Sequence, residues 1–260
     1  MGTSTSNYQS IPENLLTHPL KDFQVLTGHN AFLKNVQNLS VASASNIKKA
    51  MQLGARYILI DVYYVLGKLV VAHGDGDSII TTYPANLNDC LQVISDYAFT
   101  VTSDPLLLNI EVYVPVERRP DLSQAIKDVF GSKLLLPTEL SQSPWLTPIG
   151  QLRNKIVILE TSKLDIDAST GFPDNSYHAN SDTINALLAE GPLNTQDKWF
   201  NVYQADSFWS GLGLNMDPTT YLNVGIQAIA MNVLVNDDNL KPYLNWFNSH
   251  GFVLQPGRTV

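Results

Sequence analysis

Apolar residues recur along this chain in two alternating rhythms. At Leu87, Cys90, Leu91, Ile94 and Ala98, and again at Leu122, Ala125, Ile126, Val129 and Phe130, they return every three or four positions, which predicts amphipathic helices. The same spacing reappears at Leu240, Tyr243, Leu244 and Phe247, and glycines that can take a left-handed C-cap follow several helices, at Gly54, Gly131, Gly191 and Gly251. Between them lie short, nearly unbroken aliphatic runs at 23–26, 57–61, 69–72, 106–110, 156–159, 226–231 and 252–254. Such runs predict strands buried on both faces. One-sided helices alternating with two-sided strands predict an α/β fold, a TIM-type (β/α)8 barrel in one domain with local distortion. Segments 142–150 and 164–180 carry Pro, Gly, Ser and Asp without clear periodicity and read as loops, the first joining two halves of the barrel.

Composition agrees with one large core. Of 260 residues, 44% are hydrophobic and only 15% charged, too little charge for disorder. The formal charge of -8 gives no footprint for nucleic acid and opposes general adsorption to an anionic bilayer. Cys90 is the one cysteine, so no internal disulfide forms, and its place on a helix stripe makes it a core residue rather than a nucleophile. No apolar run reaches bilayer length and the start lacks a signal-peptide core, which points to a cytoplasmic or peripheral membrane protein, with secretion after processing left open. The opening Met1-Gly2-Thr3-Ser4-Thr5-Ser6 fits both a myristoylation signal and an ordinary polar terminus. Residues 1–16 read as a flexible segment and 17–260 as the barrel.

Isolated polar residues fall where the predicted strands end. His29 and Asn30 follow the first strand, Asp61 ends the second, His73 ends the hairpin strand after it, and Glu111 ends the run 106–110. In a parallel barrel these ends open on one face, so the five side chains can converge. Taken singly, each has a plain reading, since His73-Gly74 suits a turn and Asp61 or Glu111 suits a cap or an ion pair. Together, two histidines, an amide and two carboxylates suit proton transfer and a hard cation.

These residues also carry a resemblance. His18-Pro19-Leu20 through Gly28-His29-Asn30-Ala31-Phe32-Leu33, then 54–61 ending in Asp61, Val70-Val71-Ala72-His73-Gly74, Tyr97-Ala98-Phe99 and 105–111 ending in Glu111 resemble the X region of phosphoinositide-specific phospholipase C. Stretches 223–232 and 251–256 resemble its Y region. The resemblance spans about 17 to 256, X-like over about 17–160 and Y-like over about 200–256. It implies a phosphodiesterase that cleaves phosphatidylinositol-type phospholipid at a membrane surface, as a monomer, to diacylglycerol and inositol (cyclic) phosphate. By that likeness His29 stabilises the phosphoryl oxygens, His73 is general acid and then base, and Glu111 takes the hydroxyl proton. Asn30, Asp61 and Glu111 hold calcium, and Ser181 and Tyr203 bind substrate.

Two departures qualify that picture. Leu59 stands where the family has a glutamate ligand, which weakens the calcium site. After Asn154-Lys155-Ile156-Val157-Ile158 come Leu159, Glu160 and Thr161 instead of a lysine pair, and Asn201-Val202-Tyr203 lacks the arginine of the family's Arg-x-Tyr. Without those cations the resemblance implies a preference for unphosphorylated phosphatidylinositol or another lipid. Tyr63, Tyr64, Val65 and Leu66, with Phe208 and Trp209, are expected on rim loops, where they meet a bilayer or pack. The alternatives are a non-catalytic lipid- or protein-binding relative and a related phosphodiesterase with another headgroup. A glycerophosphodiester or sphingolipid enzyme would want a carboxylate cluster that the sequence lacks.

Overall fold

The computed structural model describes residues 8–34, 40–76, 78–81, 83–160, 170–173, 177–195, 198–205 and 213–258. The chain enters the sheet through Phe23–Val25 (β1) and Thr27–Gly28 (β2), then forms helix Ala44–Gln52 (α1) and strand Tyr57–Val65 (β3). Short strands Lys68–Val71 (β4), Gly74–Asp75 (β5), Ser78–Ile79 (β6) and Ala85–Asn86 (β7) lead to helix Leu87–Tyr97 (α2), strand Leu106–Tyr113 (β8) and helix Arg119–Phe130 (α3). Strands Ile156–Glu160 (β9), Phe172–Pro173 (β10) and Tyr177–Asn180 (β11) precede helix Ser181–Glu190 (α4) and strand Phe200–Tyr203 (β12). Helix Thr219–Asn223 (α5), strand Ala228–Ile229 (β13), helix Leu240–Phe247 (α6) and strand Phe252–Leu254 (β14) complete the chain order.

The parallel strands follow one another around a ring. β2 pairs with β3, β3 with β8, β8 with β9 and β9 with β10 on one side, while β1 pairs with β13, β13 with β12 and β12 with β11 on the other. Chain order and ring order therefore coincide, as in a (β/α)8 barrel, with the seam falling between β10 and β11. β4 lies antiparallel on β3, and β14 antiparallel on β1, so the run 252–254 closes the first strand's flank instead of adding a parallel stave.

Local chemistry starts the helices where the pattern says. The Ser43 hydroxyl accepts from the Ser45 amide ahead of α1, and the Asn86 side chain accepts from the amides of Asn88 and Asp89 ahead of α2. Alternate residues of β3 face opposite ways: Ile58 and Ile60 join the shell under the helices with Cys90, Leu91 and Ile126, whereas Tyr57 and Leu59 join the barrel interior with Leu107, Val157 and Ala228. Both faces are apolar because both are buried, which is why these strands lack alternation in sequence.

Several elements differ from the sequence reading. Asp61 and Glu111 sit within strands rather than at their ends, because Val62 to Val65 find antiparallel partners on β4 and β8 continues alongside to Tyr113. The segment read as a loop at 164–180 contains β10 and β11, and 226–231 forms only the two residues of β13. Gly251 is not a helix cap; Asn248 takes the left-handed position after α6. A Cβ on Gly251 would lie 2.3 Å from both Arg56 Cγ and Tyr8 Oη, so the glycine permits a close approach. Residues 8–16, read as flexible, pack on the floor of the barrel. The Tyr8 hydroxyl donates to Asp104, as does the Ile11 amide, and the buried Arg56 guanidinium donates to the Ala98 carbonyl beneath the Tyr8 ring.

Candidate active site

The turn after β2, the middle of β3 and β8 and the turn after β4 bring five of the expected residues together. Asn30 takes a positive φ of 44°, a conformation that Asn tolerates well, and its Nδ2 lies 3.4 Å from His73 Nδ1. The same ring nitrogen lies 3.6 Å from Asp61 Oδ2. Asp61 and Glu111 stand directly opposite each other in the β3–β8 register. The His29 amide donates to the Met231 carbonyl, which ties the residue to the end of β13.

His73 is fixed by its backbone. Its amide donates to Thr81 Oγ1, its carbonyl accepts from Ile80 and Thr81, and the following Gly74 leaves no room for a side chain, since a Cβ would lie 2.2 Å from the Ser78 carbonyl oxygen. The glycine that made His73-Gly74 look like a turn is thus what lets β5 and β6 close beneath the imidazole.

Burial sets the electrostatics. Desolvation lowers His29 to about 4, with the charge of Asp61 opposing and that of His73 adding, so its imidazole is neutral near pH 7. Glu111 is raised by burial first and by the Asp61 charge second, while a hydrogen bond from the Tyr113 hydroxyl at 2.9 Å, His178 and His73 pull the other way. A neutral donor, an imidazole oriented by a carboxylate, and a carboxyl poised to hold a proton are the parts that acid–base chemistry needs.

Asn30, Asp61 and Glu111 supply the oxygen donors a hard cation requires, and crowding of two carboxylates is what a divalent ion would relieve. Leu59 lies inside the barrel with no oxygen to offer, and no group of three His, Cys, Asp or Glu among the described residues could hold a metal by itself. The donor set fits calcium only with the Asn30 amide included.

The remaining expected residues are placed differently. The Ser181 hydroxyl accepts from the Ala205 amide, a local role at the start of α4, while Tyr203 at the end of β12 is 42% exposed. Tyr63 is not a rim residue: it is buried and stacks on Tyr113 with ring centroids 4.6 Å apart. Leu66 is 96% exposed at the β3–β4 tip, with φ of 49° followed by Gly67 at 80°. Phe208 and Trp209 lie outside the described residues.

Sequence reasoning missed two residues. Asn232 hydrogen-bonds the His29 side chain and is itself held by Asn215, whose Oδ1 accepts from the Asn232 amide. His178 on β11 acts on Glu111 from across the barrel. Its signal was the run Tyr177-His178-Ala179 before the capping Asn180 and a helix, obscured by the surrounding loop composition.

Comparison with known proteins agrees with this fold. The family described as phosphatidylinositol-specific phospholipase C, X domain, matches residues 16–162. The human 1-phosphatidylinositol 4,5-bisphosphate phosphodiesterase gamma-2 is 33% identical over 153 residues, covering 58% of this chain and 12% of its own length. Phosphoinositide phospholipase C 6 of Arabidopsis thaliana is 29% identical, with 57% of this chain and 24% of the relative covered. The chain thus spans no more than about a quarter of these relatives. Among solved structures, PLC21 of L. pealei superposes with a TM-score of 0.81 at 18% identity over 95% of this chain and 39% of that one. The phosphatidylinositol-specific phospholipase C of Listeria monocytogenes gives 0.62 at 14% identity over 93% and 97%.

Proposed function

The chain belongs to the phosphatidylinositol-specific phospholipase C X-domain family, and from that premise we propose that it cleaves phosphatidylinositol-type phospholipid to diacylglycerol and inositol (cyclic) phosphate. One observation carries the reading: His73 is held by Asn30 and Asp61 on the face where neutral His29 and the raised Glu111 also stand.

In this reading the inositol 2-hydroxyl oxygen forms a bond to phosphorus while the bond from phosphorus to the glycerol oxygen breaks. Glu111 takes the hydroxyl proton. His29, neutral, donates from its ring N–H to a phosphoryl oxygen and stabilises the charge that develops there. Asp61 Oδ2 stands 3.6 Å from His73 Nδ1, so Nε2 is the nitrogen left to deliver a proton to the departing glycerol oxygen and to reclaim one when water opens the cyclic phosphate. Calcium, held by Asn30, Asp61 and Glu111, would supply charge neutralisation at the phosphate and acidify the hydroxyl.

Leu159 occupies the barrel interior next to the strand end where the resembling family carries lysines, and Asn201 replaces its arginine. Both favour unphosphorylated phosphatidylinositol, since extra ring phosphates would be desolvated without a counter-charge. Exposed Leu66 at the hairpin tip beside this face suits contact with a lipid surface. No helix among the described residues is long and apolar enough to cross a membrane.

The test is release of diacylglycerol and water-soluble inositol phosphate from phosphatidylinositol vesicles, with calcium or chelator. Release that requires both His29 and His73 supports the enzyme. Binding without release, unaffected by His29→Ala and His73→Ala, would instead make the chain a lipid-binding relative.

A further inference from the structure

We propose that the stacked Tyr63 and Tyr113 form a brace between the Glu111 carboxyl and the turn that carries His73, so that one rigid unit positions both proton acceptor and proton donor. The inference rests on the phospholipase reading and deepens it by adding two positioning residues to the reaction.

Residues two apart in a strand share a face. Tyr63 and Tyr113 therefore continue the face that carries Asp61 and Glu111, and the register sets them opposite each other as it does the two acids. Their ring centroids lie 4.6 Å apart with the planes 11° from parallel, and Tyr63 is 2% exposed. Each hydroxyl then leaves the stack for a different partner. Tyr113 donates to Glu111 Oε2 at 2.9 Å, whereas Tyr63 donates to the Gly76 carbonyl at 3.2 Å. That second bond lands in the hairpin of β5 and β6, which begins directly after His73. A Cβ on Gly74 would lie 2.5 Å from Tyr63 Oη, so the tyrosine is also seated against the residue next to the imidazole.

The two reacting groups stand on supports of unequal depth. Glu111 lies within the long β3–β8 ladder, while His73 comes after Val71, the last paired residue of the four-residue β4. With no link between them, the distance from acceptor to donor would follow every movement of the hairpin, and catalysis is sensitive to displacements of about 1 Å. Two aromatic rings make a stiff link, because each has only two side-chain torsions to lose and the stacked faces resist sliding. The bond from Tyr113 also fixes the plane of the Glu111 carboxyl. A stack that served packing alone would need no hydroxyls, since phenylalanine fills the same space; here each hydroxyl ends on one of the two reacting elements.

The experiment compares the native chain with Tyr113→Phe, Tyr63→Phe and Tyr113→Leu. It measures kcat and KM on phosphatidylinositol vesicles, thermal melting, and hydrogen exchange of the Ile80 and Thr81 amides, which donate to the His73 carbonyl and so report its placement. Tyr113→Phe keeps the ring and loses the bond to Glu111; kcat should fall about tenfold with KM unmoved and exchange at Ile80 and Thr81 native. Tyr63→Phe should quicken that exchange about tenfold and lower kcat by a similar factor. Tyr113→Leu breaks the stack and should produce both effects, although neither amide bonds to Tyr113, and phenylalanine at the same position should restore native exchange. Native exchange at Ile80 and Thr81 in a folded Tyr113→Leu protein would overturn the brace, as would a Tyr113→Phe protein with native kcat or with a loss confined to KM. A native chain that releases no diacylglycerol, in which Tyr113→Leu still quickens exchange at Ile80 and Thr81, would defeat the phospholipase reading while supporting the link between the two elements.

Discussion

The two sides of the barrel are built to different standards. On one, β3 and β8 pair at seven consecutive positions from Tyr57↔Leu107 to Tyr63↔Tyr113, and β9 extends the ladder. On the other, β12 meets β13 at two positions and β13 meets β1 at one. Asp61 and Glu111 stand on the long ladder, while His178 and Asn201 stand on β11 and β12, beside the short one. Catalysis tolerates little misplacement, so a deep register under the acids is the expected investment. Substrate choice varies more freely when its residues stand on strands that few neighbours hold.

The comparison breaks most visibly at the histidines. His29→Ala or His73→Ala should lower kcat by about a thousandfold with the melting midpoint little changed, read from vesicle hydrolysis beside a thermal scan. A loss of less than about tenfold would mean that the two sides do not divide the labour as described. Next, Leu59→Glu adds a carboxylate to the long-ladder side. It should destabilise the calcium-free protein by about 3 kcal/mol in urea and make its melting midpoint rise with added calcium more steeply than the native one does. Hydrogen exchange should then sort the walls directly, with amides of β3 and β8 protected about a hundredfold more than those of β12 and β13.

Much of the long-ladder side was legible in the sequence, because two-sided burial writes continuous apolar runs and His29, Asp61, His73 and Glu111 interrupt them. The short side was not. β10 has two residues and ends in Pro173, and β11 mixes Tyr177, His178 and Asn180 with Ala179, so neither carries a strand's signature. Their pairing comes from partners 13 and 23 residues away in the chain, and local propensity is overruled there. His178 was lost with the strand that bears it. Asn232 was visible as a residue, but only the bond to His29 gives it a role.

Smaller effects sharpen the picture. Burial raises the Cys90 thiol from 9 to about 12. An unfolded chain therefore ionises this group first: the neutral thiol's contribution is intact below pH 9 and is lost as pH climbs toward 12. Denaturation of the native chain should steepen in pH dependence above pH 9 by about 1 kcal/mol per unit relative to Cys90→Ala, and a thiol reagent at pH 8 should label Cys90 only after unfolding. Least of all, Leu66→Gly relaxes the left-handed tip and should stabilise by about 0.5 kcal/mol while weakening vesicle binding. Unchanged vesicle binding would remove the tip from the lipid contact.

The packed floor has a further consequence. Arg56, Tyr8 and Gly251 close the barrel's N-terminal end, and Phe23, Tyr57 and Phe252 fill the space above them. The vessel is blind at its base, so traffic runs through one mouth. Whatever enters by the C-terminal face must leave by it, and under the proposed cleavage the lipid product, anchored at that mouth, would have to clear before water could reach a cyclic phosphate held below. The order of the two proposed chemical steps would then be imposed by plumbing as much as by proton transfer.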